Sequence, residues 1–278
     1  MNNTFSFNRF KNLLLNDGKM YLRNFGISLI VFCSLNAISW VINLLFGSTS
    51  ESGFRFGTLC IWTAIAMMLV PSKVYGHANL SREGVGFAMM PTSSLEKFVS
   101  MFIYCAIITP VIVFFGGYLV DTLLSLFPFG GFDKPIHLYS FNEIVRLADN
   151  TDGVVQMGEM SASISDVFPV GVIRTILYVT ILKWAAIFML GNMLFKKHKA
   201  GRTFGCYLGI SYVISMLFGV LIASSERIQQ WFESLENLSQ MEMVRLWHNG
   251  TIWAMVINVI ITAMLLFFTY RKIKTQKY

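Results

Sequence analysis

Two ionisable side chains stand inside otherwise apolar runs of this chain, Asp121 and Lys183. On insertion scales a charge at the centre of a bilayer costs ~2.5–3.5 kcal/mol, so each needs a partner, an escape to the surface or a task. Lys183 lies nine residues into the run Arg174–Phe195, ~13 Å along a helix. Three roles compete for it. Its long side chain can lean back toward the interface, since helical side chains tilt toward their own N-terminus; it can pair with Asp121; or it can serve transport or gating. A second group sits between apolar runs, where Met89-Met90-Pro91-Thr92-Ser93-Ser94-Leu95-Glu96-Lys97 leads into the next one. Pro91 breaks what precedes it, and Ser93 and Glu96 have the Ser-x-x-Glu spacing of a capping box. Glu96 also falls in the first turn, where the helix dipole favours an acid. Arg82 and Glu83, earlier in the same polar stretch, are candidates for charge contacts with a partner protein.

Other chemistry is missing from the pattern. No Gly-x-x-x-x-Gly-Lys-Ser/Thr string occurs, so no P-loop nucleotide site is expected. His77, His137, His198 and His248 lack metal-ligand spacing, and no Ser/His/Asp arrangement is suggested. Cys33, Cys60, Cys105 and Cys206 fall in or beside apolar runs and read as small buried hydrophobes. The chain is not expected to be an enzyme: no catalytic residue, cofactor or metal ligand is assigned.

The elements that must position these residues are six apolar stretches: Gly26–Phe46, Phe56–Val70, Phe98–Leu124, Arg174–Phe195, Phe204–Ala223 and Thr251–Thr269. Most approach the roughly 20 residues that span the ~30 Å core of a bilayer as helix. With 55% hydrophobic and only 13% charged residues, the composition excludes an ordinary soluble domain. The fold class expected is an all-α polytopic membrane protein with six transmembrane helices in a single domain, 1–278. If the spans alternate, residues 1–25, 71–97, 196–203 and 270–278 share one side and hold fifteen of the 22 bases but only three of the 15 acids. Basic loops stay cytoplasmic, so both termini are expected inside. The net charge of +7 then reflects topology and contact with membrane lipid, and no nucleic-acid partner is expected.

Residues 1–25 lack the apolar core and cleavage site of a signal peptide. Phe7, Phe10, Leu14 and Leu15 alternate there with Arg9, Lys11, Asn16 and Lys19, predicting an amphipathic interfacial helix. Residues 72–97 form the sizeable cytoplasmic loop, and 125–173 and 224–249 the extracytoplasmic ones. The first of these begins with Pro128-Phe129-Gly130-Gly131, carries a short helix over Phe141–Ala148, and is loosely ordered over its acidic stretch Asp149–Asp166. In the second, apolar residues from Ile228 to Val244 recur at helical steps, with Trp231 and Trp247 suited to the headgroup level. Pro110 should kink the third span. Gly201, Gly205 and Gly209 recur every four residues, with Gly219 in a second row of small residues; such rows let helices approach closely in lipid, within the monomer or in a dimer, the former being favoured.

The string Pro91–Lys97 resembles the Pro-x-Ser-x-x-Glu-Lys element of permeases of the ABC type-2 export class. The layout is similar too, with six spans, inside termini, an amphipathic N-terminal helix and a coupling segment before the third span. Leu190-Gly191 followed by Phe195-Lys196-Lys197 is likewise similar to small permease-like proteins of this kind. The resemblance implies a permease subunit of an ATP-driven ABC export system in a bacterial inner membrane, working as a homodimer or heterodimer of permeases. It implies a separate ABC ATPase subunit docking on the inner loop, with Arg82, Glu83, Pro91, Ser93, Glu96 and Lys97 as the coupling residues. The alternative is a non-transporting membrane scaffold or sensor that binds a ligand or partner through its outer loops.

Overall fold

A computed structural model describes residues 5–47, 52–80, 83–127, 132, 135–136, 154–157, 160–163, 170–225, 227, 230 and 240–275. The elements run α1 (Phe7–Phe46), α2 (Ser52–Val74), a 3-10 turn (Gly76–Asn79), α3 (Glu83–Met89), α4 (Ser94–Phe102), a π turn (Ile103–Ile108), α5 (Thr109–Ser125), β1 (Val154–Met157), β2 (Met160–Ser163), α6 (Val170–Leu194), α7 (Lys199–Ser224) and α8 (Gln240–Thr275). Among the described residues, five helical stretches are long and apolar enough to cross a bilayer: Phe7–Phe46, Phe54–Val74, Ser94–Ser125, Lys199–Ser224 and Arg245–Thr275. The fourth expected span falls in α6, a helix of 25 residues, of which Tyr178–Leu194 is apolar among the described residues.

Local structure departs from the sequence pattern in three places. Residues 7–46 form one uninterrupted helix, where a separate helix over 1–25 was expected. Nothing between Lys19 and Ser28 breaks it: the polar-to-apolar change there alters what the helix faces, and Gly18 and Gly26 are tolerated within it. The stretch Asp149–Asp166, expected to be loosely ordered, contains an antiparallel ribbon in which Val154 lies opposite Ser163 and Met157 opposite Met160. The kink expected at Pro110 is taken up by the π turn just before it. Proline donates no N–H and its ring crowds the carbonyl four residues back; here the Thr109 N–H reaches the Tyr104 carbonyl instead, and the Thr109 hydroxyl donates to the same oxygen at 2.6 Å.

The chain divides into two compact units. The first comprises residues 1–138, 181–203 and 263–278. Its core begins on α1, where Leu13, Asp17, Tyr21, Phe25 and Leu29 are buried at four-residue steps. Around them pack Ala66 and Val70 of α2, Met101 of α4, Val113 of α5, and Met189 and Met193 of α6. Close approach is set by glycines. A Cβ on Gly116 would lie 2.5 Å from Cys33 Sγ, one on Gly117 would overlap Leu59, and one on Gly191 of α6 would overlap Thr203 of α7. The second unit comprises residues 139–180 and 204–262, and holds the ribbon and long stretches of α7 and α8. Leu208, Ile210, Tyr212, Phe218 and Trp253 are exposed there, as suits side chains that meet lipid. The surface helix expected over Phe141–Ala148 and the turn Pro128–Gly131 lie outside the described residues. So does most of the amphipathic segment Ile228–Val244, whose end from Gln240 onward is the start of α8.

Candidate functional site

The helix start predicted at Ser93 is present in full. Ser93 adopts an extended backbone (φ −72°, ψ 157°), and its hydroxyl accepts from the Glu96 N–H at 3.2 Å. Glu96 reaches back, one carboxylate oxygen accepting from the Ser93 N–H at 2.8 Å. Two orphan donors are thereby satisfied. Glu96 does more than a cap requires. Its other oxygen accepts from the Ser6 N–H at 2.8 Å and lies 3.5 Å from the Arg9 guanidinium. One fully buried carboxylate thus ties the start of α1 to the start of α4. Lys97, next along and also buried, points the other way: its ammonium donates to the Phe87 carbonyl of α3 at 2.5 Å and lies 5.0 Å from the Phe87 ring centroid.

One turn further along sits a second carboxylate. Asp17, buried on the apolar stripe of α1, accepts from the Ser100 hydroxyl at 2.6 Å and the Tyr75 hydroxyl at 3.0 Å. Burial pushes the Tyr75 phenol well above its usual pKa, and the neighbouring Asp17 pushes it the same way, so Tyr75 remains a protonated donor. The Tyr104 hydroxyl donates to the Leu14 carbonyl at 2.8 Å. From Tyr75 the network continues to α6 and α7. Asn192 donates to the Tyr75 carbonyl at 3.1 Å, Asn79 to the Phe195 carbonyl at 3.2 Å, and Lys199 to the Gly76 carbonyl. The segment between α2 and α4 is held from three sides, by α1, by α4 and by the α6–α7 junction. The acids of this lattice, Asp17 and Glu96, are buried, and their hydrogen bonds fix the relative positions of helix ends.

At the far end of α5 the polar chemistry differs. Asp121 is fully buried and lies 3.3 Å from the Arg55 guanidinium of α2, itself buried. The Arg55 guanidinium sits 3.8 Å over the Phe132 ring, and the other Asp121 oxygen accepts from the Ile136 N–H at 3.2 Å. Arg55 is therefore the ionic partner of Asp121, in place of the Lys183 pairing considered from sequence. Lys183 lies half-buried on α6.

Of the coupling residues expected from sequence, Ser93, Glu96 and Lys97 come together, and Pro91 lies exposed in the bend just before them. Arg82 lies outside the described residues, and Glu83 opens α3 with a side chain outside them. A Cβ added at Gly201, Gly205, Gly209 or Gly219 meets no atom within 4 Å; within the first unit, close helix contacts are made at Gly116, Gly117 and Gly191. Sequence patterning did not single out Asp17, Arg55 or Tyr75. Asp17 could have been found as the one charge on the four-residue stripe Leu13–Leu29. Among the described residues no three His, Cys, Asp or Glu side chains gather as metal ligands would. No known protein family, curated protein or solved structure matches this chain.

Proposed function

We propose that this chain is the membrane-spanning permease subunit of an ATP-driven ABC export system, energised by a separate ATPase subunit that docks on the segment 72–97. In this reading the basic side is cytoplasmic, both termini are inside a bacterial inner membrane, and two permease chains act together. One observation carries it beyond the resemblance of Pro91–Lys97: that segment is rigidly joined to its surroundings. Glu96 binds α1, and Lys97 binds α3. A docking partner that moves α3 would move α4 with it, and through α4 and the π turn the whole run to Ser125. Coupling between sites needs a rigid connection of this kind and two states with different contacts.

The test is purification of the chain from its native membrane in mild detergent, with identification of what co-purifies in fixed ratio. A stoichiometric P-loop ATPase is expected, and Ser93→Ala with Glu96→Ala should release it or uncouple its ATP hydrolysis from transport. If the double variant keeps both assembly and transport, the segment has no coupling role. If no ATPase accompanies the wild-type chain, the scaffold or sensor alternative replaces the permease.

A further inference from the structure

Alongside the polar lattice, α4 and α8 leave an apolar recess of about 340 Å³ between them. It is lined by Leu95, Phe98 and Phe102 on one helix and Leu266, Phe267 and Tyr270 on the other. The Tyr270 and Phe98 rings meet edge to face with centroids 5.9 Å apart, so the recess has an aromatic floor. Its mouth is open, with Leu95 and Phe267 substantially exposed. Beyond Tyr270, α8 continues into Arg271, Lys272 and Lys274. Positions 267, 270, 271 and 274 follow three- and four-residue steps, so they share one face of α8. Arg271 and Lys274 are exposed and stand within about one turn, ~6 Å, of Tyr270. The nearest acid on α4, Glu96, is buried and engaged with Ser93, Ser6 and Arg9, so it does not offset that positive rim.

An apolar slot with a basic rim at the end of a membrane-length helix has the polarity of one kind of molecule. We propose that the α4–α8 recess is a binding site for an anionic glycerophospholipid, with one acyl chain against Phe98, Phe102 and Phe267 and the phosphate-bearing headgroup held by Arg271 and Lys274. Long cationic side chains at a helix end lie at headgroup depth, and anionic lipid gains from each basic residue near the surface. Unspecific solvation of the helices by bulk lipid would show neither a preferred place nor a preferred headgroup.

The experiment uses the full chain in phosphatidylcholine nanodiscs doped with a phosphatidylglycerol probe carrying a photoactivatable diazirine on one acyl chain. A phosphatidylcholine probe with the same chain is the control. The expected result is crosslinking concentrated in 95–102 and 266–270. The glycerol headgroup should be preferred by on the order of fivefold for each basic side chain that holds it. Arg271→Gln with Lys274→Gln should reduce labelling by the glycerol probe to the choline level, and Phe267→Trp, which fills the slot, should reduce labelling by both. Equal labelling by the two probes in the wild-type chain overturns the proposal without any variant. So does labelling spread evenly over the lipid-facing helices. If headgroup preference survives the double charge variant, the basic rim is not the headgroup site and the proposal fails.

Discussion

The two ends of the run from Ser94 to Ser125 bury carboxylates in opposite ways. At the α4 end, Glu96 and Asp17 are satisfied by several donors spread over α1, α4 and the turn at Tyr75, of which only Arg9 is a cation. At the α5 end, Asp121 leans on a single guanidinium with one loop N–H beside it. The first arrangement divides the cost of desolvation among many small contacts; the second rests most of the Asp121 charge on one cation. A buried charge held by many partners tolerates the loss of any one, whereas a buried ion pair broken on one side leaves an uncompensated charge.

That contrast can be broken most severely at Arg55. Arg55→Met or Asp121→Leu alone should cost about 3–5 kcal/mol, and the two together markedly less than the sum. Thermal midpoints of the four purified proteins in one detergent check this; single and double variants that add without coupling would show that the pair is not the unit of stability. A smaller loss is expected at the other end. Asp17→Asn should cost about 1–3 kcal/mol, because a neutral amide oxygen accepts the two hydroxyl hydrogen bonds more weakly than a carboxylate and the new NH2 is a buried donor that needs a partner. The same site predicts a pH dependence. Tyrosines in the unfolded chain ionise near pH 10, whereas Tyr75 in the fold ionises only well above it. The stability gained by keeping it protonated is therefore complete below about pH 10 and declines as pH rises past it. Wild type should fall more steeply than Tyr75→Phe in that range, and parallel curves would remove the Asp17–Tyr75 contact from the account. The smallest effect belongs to the cap itself: Ser93→Ala should lower stability by about 1 kcal/mol, read from the same melting curves. A loss as large as that of Arg55→Met would mean the lattice is as brittle as the ion pair.

Much of this was legible in the residues, and what was not has a physical reason. Long apolar runs announce membrane-length helices whatever surrounds them, and five of them are present. Ser93 and Glu96 announce their cap because both partners lie within one turn. Arg55 and Asp121 could not announce each other, since they are distant in sequence and only the packing of α2 on α5 brings them together. The glycines teach the same lesson. Regular spacing marks the row Gly201, Gly205 and Gly209 in the sequence, but close approach at a glycine also depends on what lies opposite it. Cys33, Leu59 and Thr203 supply that at Gly116, Gly117 and Gly191, with no periodic mark in the sequence.

The wide turn at Ile103–Ile108 has a consequence for timing around the helix axis. The buried residues Lys97, Met101, Cys105, Thr109, Val113, Gly117 and Asp121 follow one another at steps of four. In an unbroken α-helix each such step overshoots a full revolution by about 40°, so the row would creep most of the way around the cylinder before reaching Asp121. A π turn takes more residues per revolution and runs the creep backwards for as long as it lasts. It works as a leap day does in a calendar, an irregular insertion that keeps a drifting count in step. Pro110, which opens the ladder, is what makes room for it.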